Sequence, residues 1–584
     1  MTIQNPASDE PLASRACSQS SPSERSLTYA VLAILSVALG LRLWGIGFGL
    51  PYDFTPDEVH EIVRALKLGA GEYSWTAGKG GLYYFLFAEY GLLYVFWWIT
   101  GQVSAPADFA LRYVQDPSAF YLAGRITVAV MGTLTCWVVY LIGKRLYDWR
   151  VGLAAALIGA TAHYHGLWSH YINVDIGMTL AVWASILAYI EYERVQQTRW
   201  LVGAGVLGGI AFAFKLPGAI VALPLLLAIA TASRASLTPR QRIKEAAIVL
   251  FAMLVTSTAV APENIVGIGS LSNHFSDIIP NADAAQSAGN AAEIDDAVQD
   301  VSILHDGGYL KILIKSTYLA LTIAALLGAA IGIWRRQRWD IIWCMLVAAF
   351  LGVMTVADRP GEERYLVAIV PALWLLAARG AALVAGQRGR VMAIAIAVIV
   401  VVPLFSLIRQ DYMFTRPDTR VLAKEWIEAN VSSGAKILID GMRYRLIQSP
   451  PLNPDESTVE RRVSSAGGVR RVSRGVSQDT LALYTDAMSQ ISGPKYDLHS
   501  TVYGLDVKDL SYYPQECFDY IITSSQVTSD FVAPSRVAKY PTSARFYQQL
   551  PTDPRFNGVY SAEPVPWKIQ GPAITVYEVS SHCG

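Results

Sequence analysis

Apolar residues gather in runs close to the roughly 20 residues that a helix needs to cross hydrocarbon. These runs recur from Leu27 to about Ile408, separated by short polar stretches. The pattern predicts eleven membrane helices, near 27–49, 119–142, 151–165, 172–190, 200–214, 217–232, 246–262, 311–334, 339–356, 366–380 and 391–409. Residues 1–26 are polar and Ser/Pro-rich and read as a disordered tail. The first run has a long polar lead and no small-residue cleavage site after a short apolar core, so it reads as a retained signal anchor. Past Arg409 no run reaches membrane length. There "RVLAKEWIEAN" has helical spacing, Ser433-Gly434 breaks it, and "AKILID", "CFDYIITSS" and "AITVYEVSS" read as strands. The expected fold class is therefore a polytopic α-helical membrane protein with a C-terminal soluble α/β domain. Its parts are the tail 1–26, a transmembrane domain 27–409 and an outer domain 410–584.

Composition agrees. The chain of 584 residues is 53% hydrophobic and 16% charged, against about 25% charged in soluble domains. Its net charge of zero says nothing about partners, because the signs are segregated along the chain. "GKRLYDWR", "SRASLTPRQRIKE", "RRQR" and "RGAALVAGQRGR" fall on one side of the predicted spans, and basic loops stay cytoplasmic. The acidic first loop, residues 263–308 without Lys or Arg, and the soluble domain fall on the other side. "LYYFLFAEYGLLYVFWWITG" (82–101) is long enough to span, but a single crossing there would put every later basic loop on the wrong side. It is expected to form aromatic-rich helices at the outer interface, with a buried hairpin as the alternative.

Charge near the outer ends of the spans then becomes informative, since charges at a membrane boundary mark substrate paths when they are not simply solvated. The first outer loop, "YDFTPDEVHE", packs Asp53, Asp57, Glu58, His60 and Glu61 together. Thr55, Pro56 and Glu58 have the spacing of a helix cap with a capping box, which accounts for Glu58 better than for Asp57. Lys79 lies between glycines in "TAGKGGLYY", suited either to lipid headgroups or to a phosphate approached closely. Lys215 in "FKLPG" is a phosphate ligand or a snorkelling boundary lysine. Arg359, Arg364 and Tyr365 in "ADRPGEERY" are site residues or interface anchors, with Glu362 and Glu363 as local partners. Asp175 in "SHYINVD" is a helix-start acid or a site group. His163, His165 and His170 lack a compact metal-ligand spacing and are expected to be structural. Cys517 and Cys583, each beside a predicted strand, could form a disulfide in an oxidising compartment. Residues 459–475 are Gly/Ser-rich and basic and read as a solvated loop, or as a collector of anionic groups.

In order and sidedness these motifs resemble the GT-C superfamily of membrane glycosyltransferases, specifically bacterial relatives of protein O-mannosyltransferases and lipid A aminoarabinose transferases. The matching features are Asp57-Glu58, Lys79 before Leu82-Tyr83-Tyr84, "YLAGRITVAVMGTLTCWVVYLIGKRLY", "SHYINVD", Lys215, Arg364-Tyr365 and "DTRVLAKEWIEANVSSGAKILID". Gly80-Gly81 departs from the prolines that relatives often carry after the loop lysine. The resemblance implies a polyprenyl-phosphate-linked sugar donor and a protein, lipid or polysaccharide acceptor. It also implies the bacterial inner membrane as location, with the N-terminus cytoplasmic and the C-terminal domain periplasmic. Asp57 would be the general base, with Lys79, Lys215 and Arg364 around the phosphate, Glu58 and Asp175 orienting sugar or acceptor, and Arg359 and Tyr365 among the substrate-binding residues. No cofactor is implied with certainty, and a divalent metal requirement stays open. Nothing points to nucleic acid. The alternatives are a transporter or flippase of lipid-linked or polar substrates, and a non-catalytic scaffold.

Overall fold

Helices occupy all eleven expected spans. The computed structural model describes residues 22–52, 54–55, 58–71, 80–232, 238–262, 308–356, 363–441, 447–461, 486 and 488–580. In chain order the membrane part comprises α1 (Glu24–Leu43), α2 (Glu58–Gly69), α3 (Leu82–Ile99), α4 (Pro106–Gln115), α5 (Ser118–Leu146), α6 (Trp149–Thr161), α7 (His163–Trp168) and α8 (Val174–Val195). It continues through α9 (Thr198–Phe214), α10 (Ala222–Thr231), α11 (Pro239–Val260), α12 (Tyr309–Trp334), α13 (Arg338–Val356), α14 (Val370–Ala385) and α15 (Gly389–Phe414). Among the described residues, eight helices are long and apolar enough to cross a membrane: α1, α3, α5, α8, α11, α12, α13 and α15. All of these but α3 are expected spans, and the remaining four expected spans are the shorter apolar helices α6, α9, the Leu216–Thr231 segment and α14.

Local chemistry sets several boundaries. Ala162 is extended and separates α6 from α7, so the expected 151–165 span ends early. Asn173 caps α8, its Oδ1 accepting from Asp175 N at 3.0 Å and Ile176 N at 3.3 Å. Pro217 cannot continue α9, and the chain restarts as a 3₁₀ turn, Leu216–Val221. Buried α8 is the hub, with 83% of its apolar window enclosed, whereas α1, α11 and α15 enclose 22% and face outward. Close approach of α9 to α11 needs small residues. A Cβ on Gly205 or Gly209 would sit 2.6 Å or 2.5 Å from the Val249 or Met253 carbonyl oxygen.

The C-terminal region begins with α16 (Thr419–Asn430) and holds one five-stranded sheet. Its strands are β1 (Lys436–Ile439), β2 (Asp497–Ser500), β3 (Tyr520–Ser524), β4 (Phe556–Ala562) and β5 (Ile574–Val579), in the order β2-β1-β3-β5-β4. β1 runs parallel to β2 and β3, and β5 pairs antiparallel with β3 and β4. Alternate residues of β1 feed opposite faces: Ile437 and Ile439 join a core with Ala423 and Ile427 of α16, and Leu438 joins one with Phe531 and Phe546. The α/β expectation is met. Cys517 is disulfide-bonded, Cys136 and Cys344 are free, and Cys583 lies outside the described residues. Most of the basic 459–475 loop also lies outside them, although Arg461 ion-pairs with Asp497.

Candidate active site

The residue that ties the segment after α1 to the helix bundle is Arg125 on α5. Its Nε and Nη2 each donate to a Glu58 carboxylate oxygen at 2.8 Å, and its Nη1 donates to the carbonyls of Ile46 (2.8 Å) and Phe48 (2.9 Å). The guanidinium also lies 4.0 Å from the Phe48 ring centre. Glu58 Oε1 accepts a further bond, from Ile172 N at 3.0 Å. Both side chains are 1% exposed. Glu58 thus works as a buried clamp between α2, α5 and the turn before α8. The capping-box spacing seen in the sequence does not describe these bonds.

With that clamp in place, α2 presents His60, Glu61 and Arg64 to a cleft of about 130 Å³. The rest of its lining comes from Ile172 to Asp175, Lys215, Arg364 and Tyr365. Lys215 Nζ bonds both carboxylate oxygens of Asp175, at 2.8 Å and 3.1 Å, and lies 4.5 Å from the Tyr365 ring centre. Its side chain is 12% exposed. A snorkelling lysine would extend to water; this one turns inward to a carboxylate and a ring. Arg364 lies over Trp168 and Tyr365, at 5.9 Å and 5.4 Å, on the 3₁₀ turn Glu363–Leu366. Asp175 is both a first-turn acid of α8 and a lining residue of the cleft.

The structure brings Asp175, Lys215, Arg364 and Tyr365 together from α8, the α9 exit and the turn before α14. Glu58 is buried and does not line the cleft. Asp57, Lys79 and Arg359 lie outside the described residues. Their described neighbours are informative. Glu58 follows Asp57 directly and is held by Arg125. Gly80 follows Lys79 and donates to the Ala213 carbonyl at 3.0 Å, two residues before Lys215. Gly81 adopts φ +86°, and a Cβ there would lie 3.2 Å from Phe214 Cα. The glycine pair that departs from the family pattern therefore docks the loop exit onto the end of α9.

Sequence reasoning missed Arg125, Asn173 and Arg64. Glu61 and Arg64, ion-paired at 3.3 Å, stand four and seven residues after Asp57, a helical spacing that could have been read. Arg125, inside an apolar run, gave no local sign of its partner. The histidines are tied internally: His165 Nδ1 to Arg42 at 2.9 Å, His170 to the Gly166 and Trp44 carbonyls, and His163 Nδ1 to Tyr318 at 2.8 Å. Among the described residues no group of three or more His, Cys, Asp or Glu is placed to hold a metal ion.

Among the described residues, three cations and two carboxylates therefore line one small volume, an arrangement that suits an anionic, hydroxylated ligand. Comparison with known proteins narrows the class. Residues 120–261 match the family described as dolichyl-phosphate-mannose-protein mannosyltransferase. The matched segment runs from α5 to the end of α11 and contributes Asp175 and Lys215 to the cleft. The fold is shared with the Archaeoglobus fulgidus oligosaccharyltransferase solved with a tethered acceptor peptide, at TM-score 0.51 and 11% identity over 92% of this chain and 73% of that one. ArnT from Cupriavidus metallidurans bound to undecaprenyl phosphate superposes with TM-score 0.44 and 13% identity, over 94% of this chain and 98% of that one. No curated protein sequence matches. The chain is a multi-pass membrane protein with a segment similar to this mannosyltransferase family.

Proposed function

We propose that the protein transfers a sugar from a polyprenyl-phosphate donor to an acceptor at the outer face of the bacterial inner membrane. The observation that carries this reading is the cleft itself: Asp175, Lys215 and Arg364, distant in sequence, line it together with α2, the helix that follows Asp57 directly. The sorting of basic loops supports an outward-facing cleft, a cytoplasmic N-terminus and an outer C-terminal domain.

In this scheme an acceptor oxygen attacks the anomeric carbon, and the bond from that carbon to the lipid phosphate oxygen breaks. The acceptor proton passes to Asp57, and the departing phosphate takes up the electron pair beside Lys215, Arg364, Lys79 and Arg359. A positioned base contributes about 10²–10⁴-fold. Fixed cations stabilise the leaving phosphate most where water is excluded. Asp175 holds Lys215 in place and orients the sugar, and Tyr365 forms the wall behind the ammonium.

The test is transfer of labelled sugar from polyprenyl-phosphate donor in proteoliposomes. The wild-type chain should transfer, and Asp57→Asn should lose about 10²–10⁴-fold in kcat with the protein still folded. Donor movement across the bilayer without sugar transfer would replace this reading with transport, and near-normal turnover in Asp57→Asn would remove Asp57 from the chemistry.

A further inference from the structure

At the opposite end of the membrane domain lies a second feature, a groove of about 580 Å³ between α6 and α15. Its walls are Leu153, Ala154 and Leu157 on one helix and Met392, Ile396 and Val400 on the other, with small Ala393 and Ala397 leaving the width. It runs from Trp149 to Leu157 and from Gly389 to Val400. At 1.5 Å per residue that is about 12–16 Å, the depth of one leaflet of a hydrocarbon core about 30 Å thick.

The mouth is cationic. Arg150 lines it, donating to the Gly386 carbonyl at 3.0 Å and lying 5.9 Å from the Trp149 ring, and Arg388 and Arg390 flank Gly389 in exposed positions. The nearby cations of the same basic loop are already matched, Lys144 by Glu24 at 3.4 Å and Arg145 by Glu191 at 2.5 Å. The adjacent acid, Asp148, caps α6 through Val151 N at 2.9 Å. Among the described residues no Asp or Glu lines the groove. The N-cap of α15 is Arg388, with no side-chain cap bond, so the positive end of this helix also faces the mouth. Trp149 at the rim suits the headgroup level.

We propose that this groove is a binding site for an anionic glycerophospholipid, one acyl chain lying between α6 and α15 and the phosphate held by Arg150, Arg388 and the start of α15. Charge selects the occupant: a zwitterionic lipid brings its own ammonium beside the phosphate and gains less from these cations, and a detergent tail fills only the apolar walls.

Full-length protein reconstituted in nanodiscs with equal phosphatidylglycerol and phosphatidylcholine, then released for native mass spectrometry, tests the assignment. The expected result is one retained phosphatidylglycerol in preference to phosphatidylcholine. Arg388→Gln and Arg390→Gln should each reduce that preference about fivefold. Ala393→Leu with Ala397→Leu, both exposed positions on α15, should abolish retention while the protein melts normally in phosphatidylcholine alone. Equal retention of the two lipids, or retention untouched by the groove-filling pair, overturns the proposal. Loss of a dimer in the groove-filled variant without loss of lipid also overturns it, since a second copy would then cover this face.

Discussion

Glu58 and Lys215 illustrate two kinds of charged residue at the cleft. Glu58 forms a buried pair with Arg125, and such pairs are costly to break because the surviving charge stays desolvated. Glu58→Gln should therefore destabilise the protein by about 3–5 kcal/mol, read as a fall in melting temperature in detergent. Adding Arg125→Met should recover much of that loss, and an unchanged melt in the single variant would contradict the clamp. Lys215 faces the cleft. Lys215→Ala should raise the KM for donor about 10–100-fold, the worth of a charge-assisted hydrogen bond, with a smaller effect on kcat. Equal losses for donor and acceptor would mean that it acts only by holding Asp175. The sequence singled out Lys215 because a lysine between apolar spans needs a reason. It gave no comparable signal for Arg125, whose partner is 67 residues away.

Among the elements, α3 decides how the first loop meets the membrane. It has the length and apolarity of a span. Yet Leu86 packs at Gly124, Tyr90 donates to the Phe120 carbonyl at 3.1 Å, Glu89 bonds Thr127 and Trp97 meets the Phe120 ring at 5.7 Å. These contacts, from residues 86 to 97 or about 17 Å of helix, meet α5 between Phe120 and Thr127, about 11 Å. At its other end Phe85 stacks on Phe214, the last residue of α9, at 5.9 Å. This geometry favours a helix crossing the ends of α5 and α9 that carry Phe120 and Phe214, the interfacial arrangement that the charge sorting predicts. Cysteine placed at Gln102 should accordingly react with an impermeant maleimide added from the side of the C-terminal domain. Labelling only from the opposite side would make α3 a span and invert the topology. Hydropathy alone reads α3 as membrane-crossing, because an interfacial aromatic helix and a short span have the same composition.

At the level of the whole molecule, the C-terminal domain is tied to the loop that carries the candidate base. Arg420 of α16 lies 3.6 Å from the Phe54 ring centre and donates to the Ile447 carbonyl, and Phe414 at the end of α15 stacks on Phe48 at 4.2 Å. Within the domain, Asp440 follows β1 and is buried, accepting from Tyr547 Oη at 2.6 Å and Ser524 N at 3.0 Å. Burial pushes its carboxyl up to about 6, partly offset by these bonds. The folded domain then holds the proton to higher pH than the unfolded chain. Stability from this group is complete below the ordinary aspartate value near 4 and is lost as pH rises through about 6, by roughly 3 kcal/mol in all. Melting of the full chain should therefore fall between pH 4 and 7, and Asp440→Asn should flatten that slope. A wild-type slope of the opposite sign across this window, retained in the variant, would assign the pH dependence elsewhere.

The sequence by itself determined the membrane class, the succession of apolar helices and the α/β character of the C-terminal region, and it singled out Asp175, Lys215, Arg364 and Tyr365. All of these follow from local composition and period, and hydrocarbon enforces them without reference to distant residues. Tertiary structure alone decided which charges meet. It set Glu58 behind the cleft on Arg125, joined Lys215 to Asp175 across 40 residues, and brought Arg64 into the lining. Pairing of buried charges depends on which helix ends become neighbours, and that is settled by packing over the whole bundle.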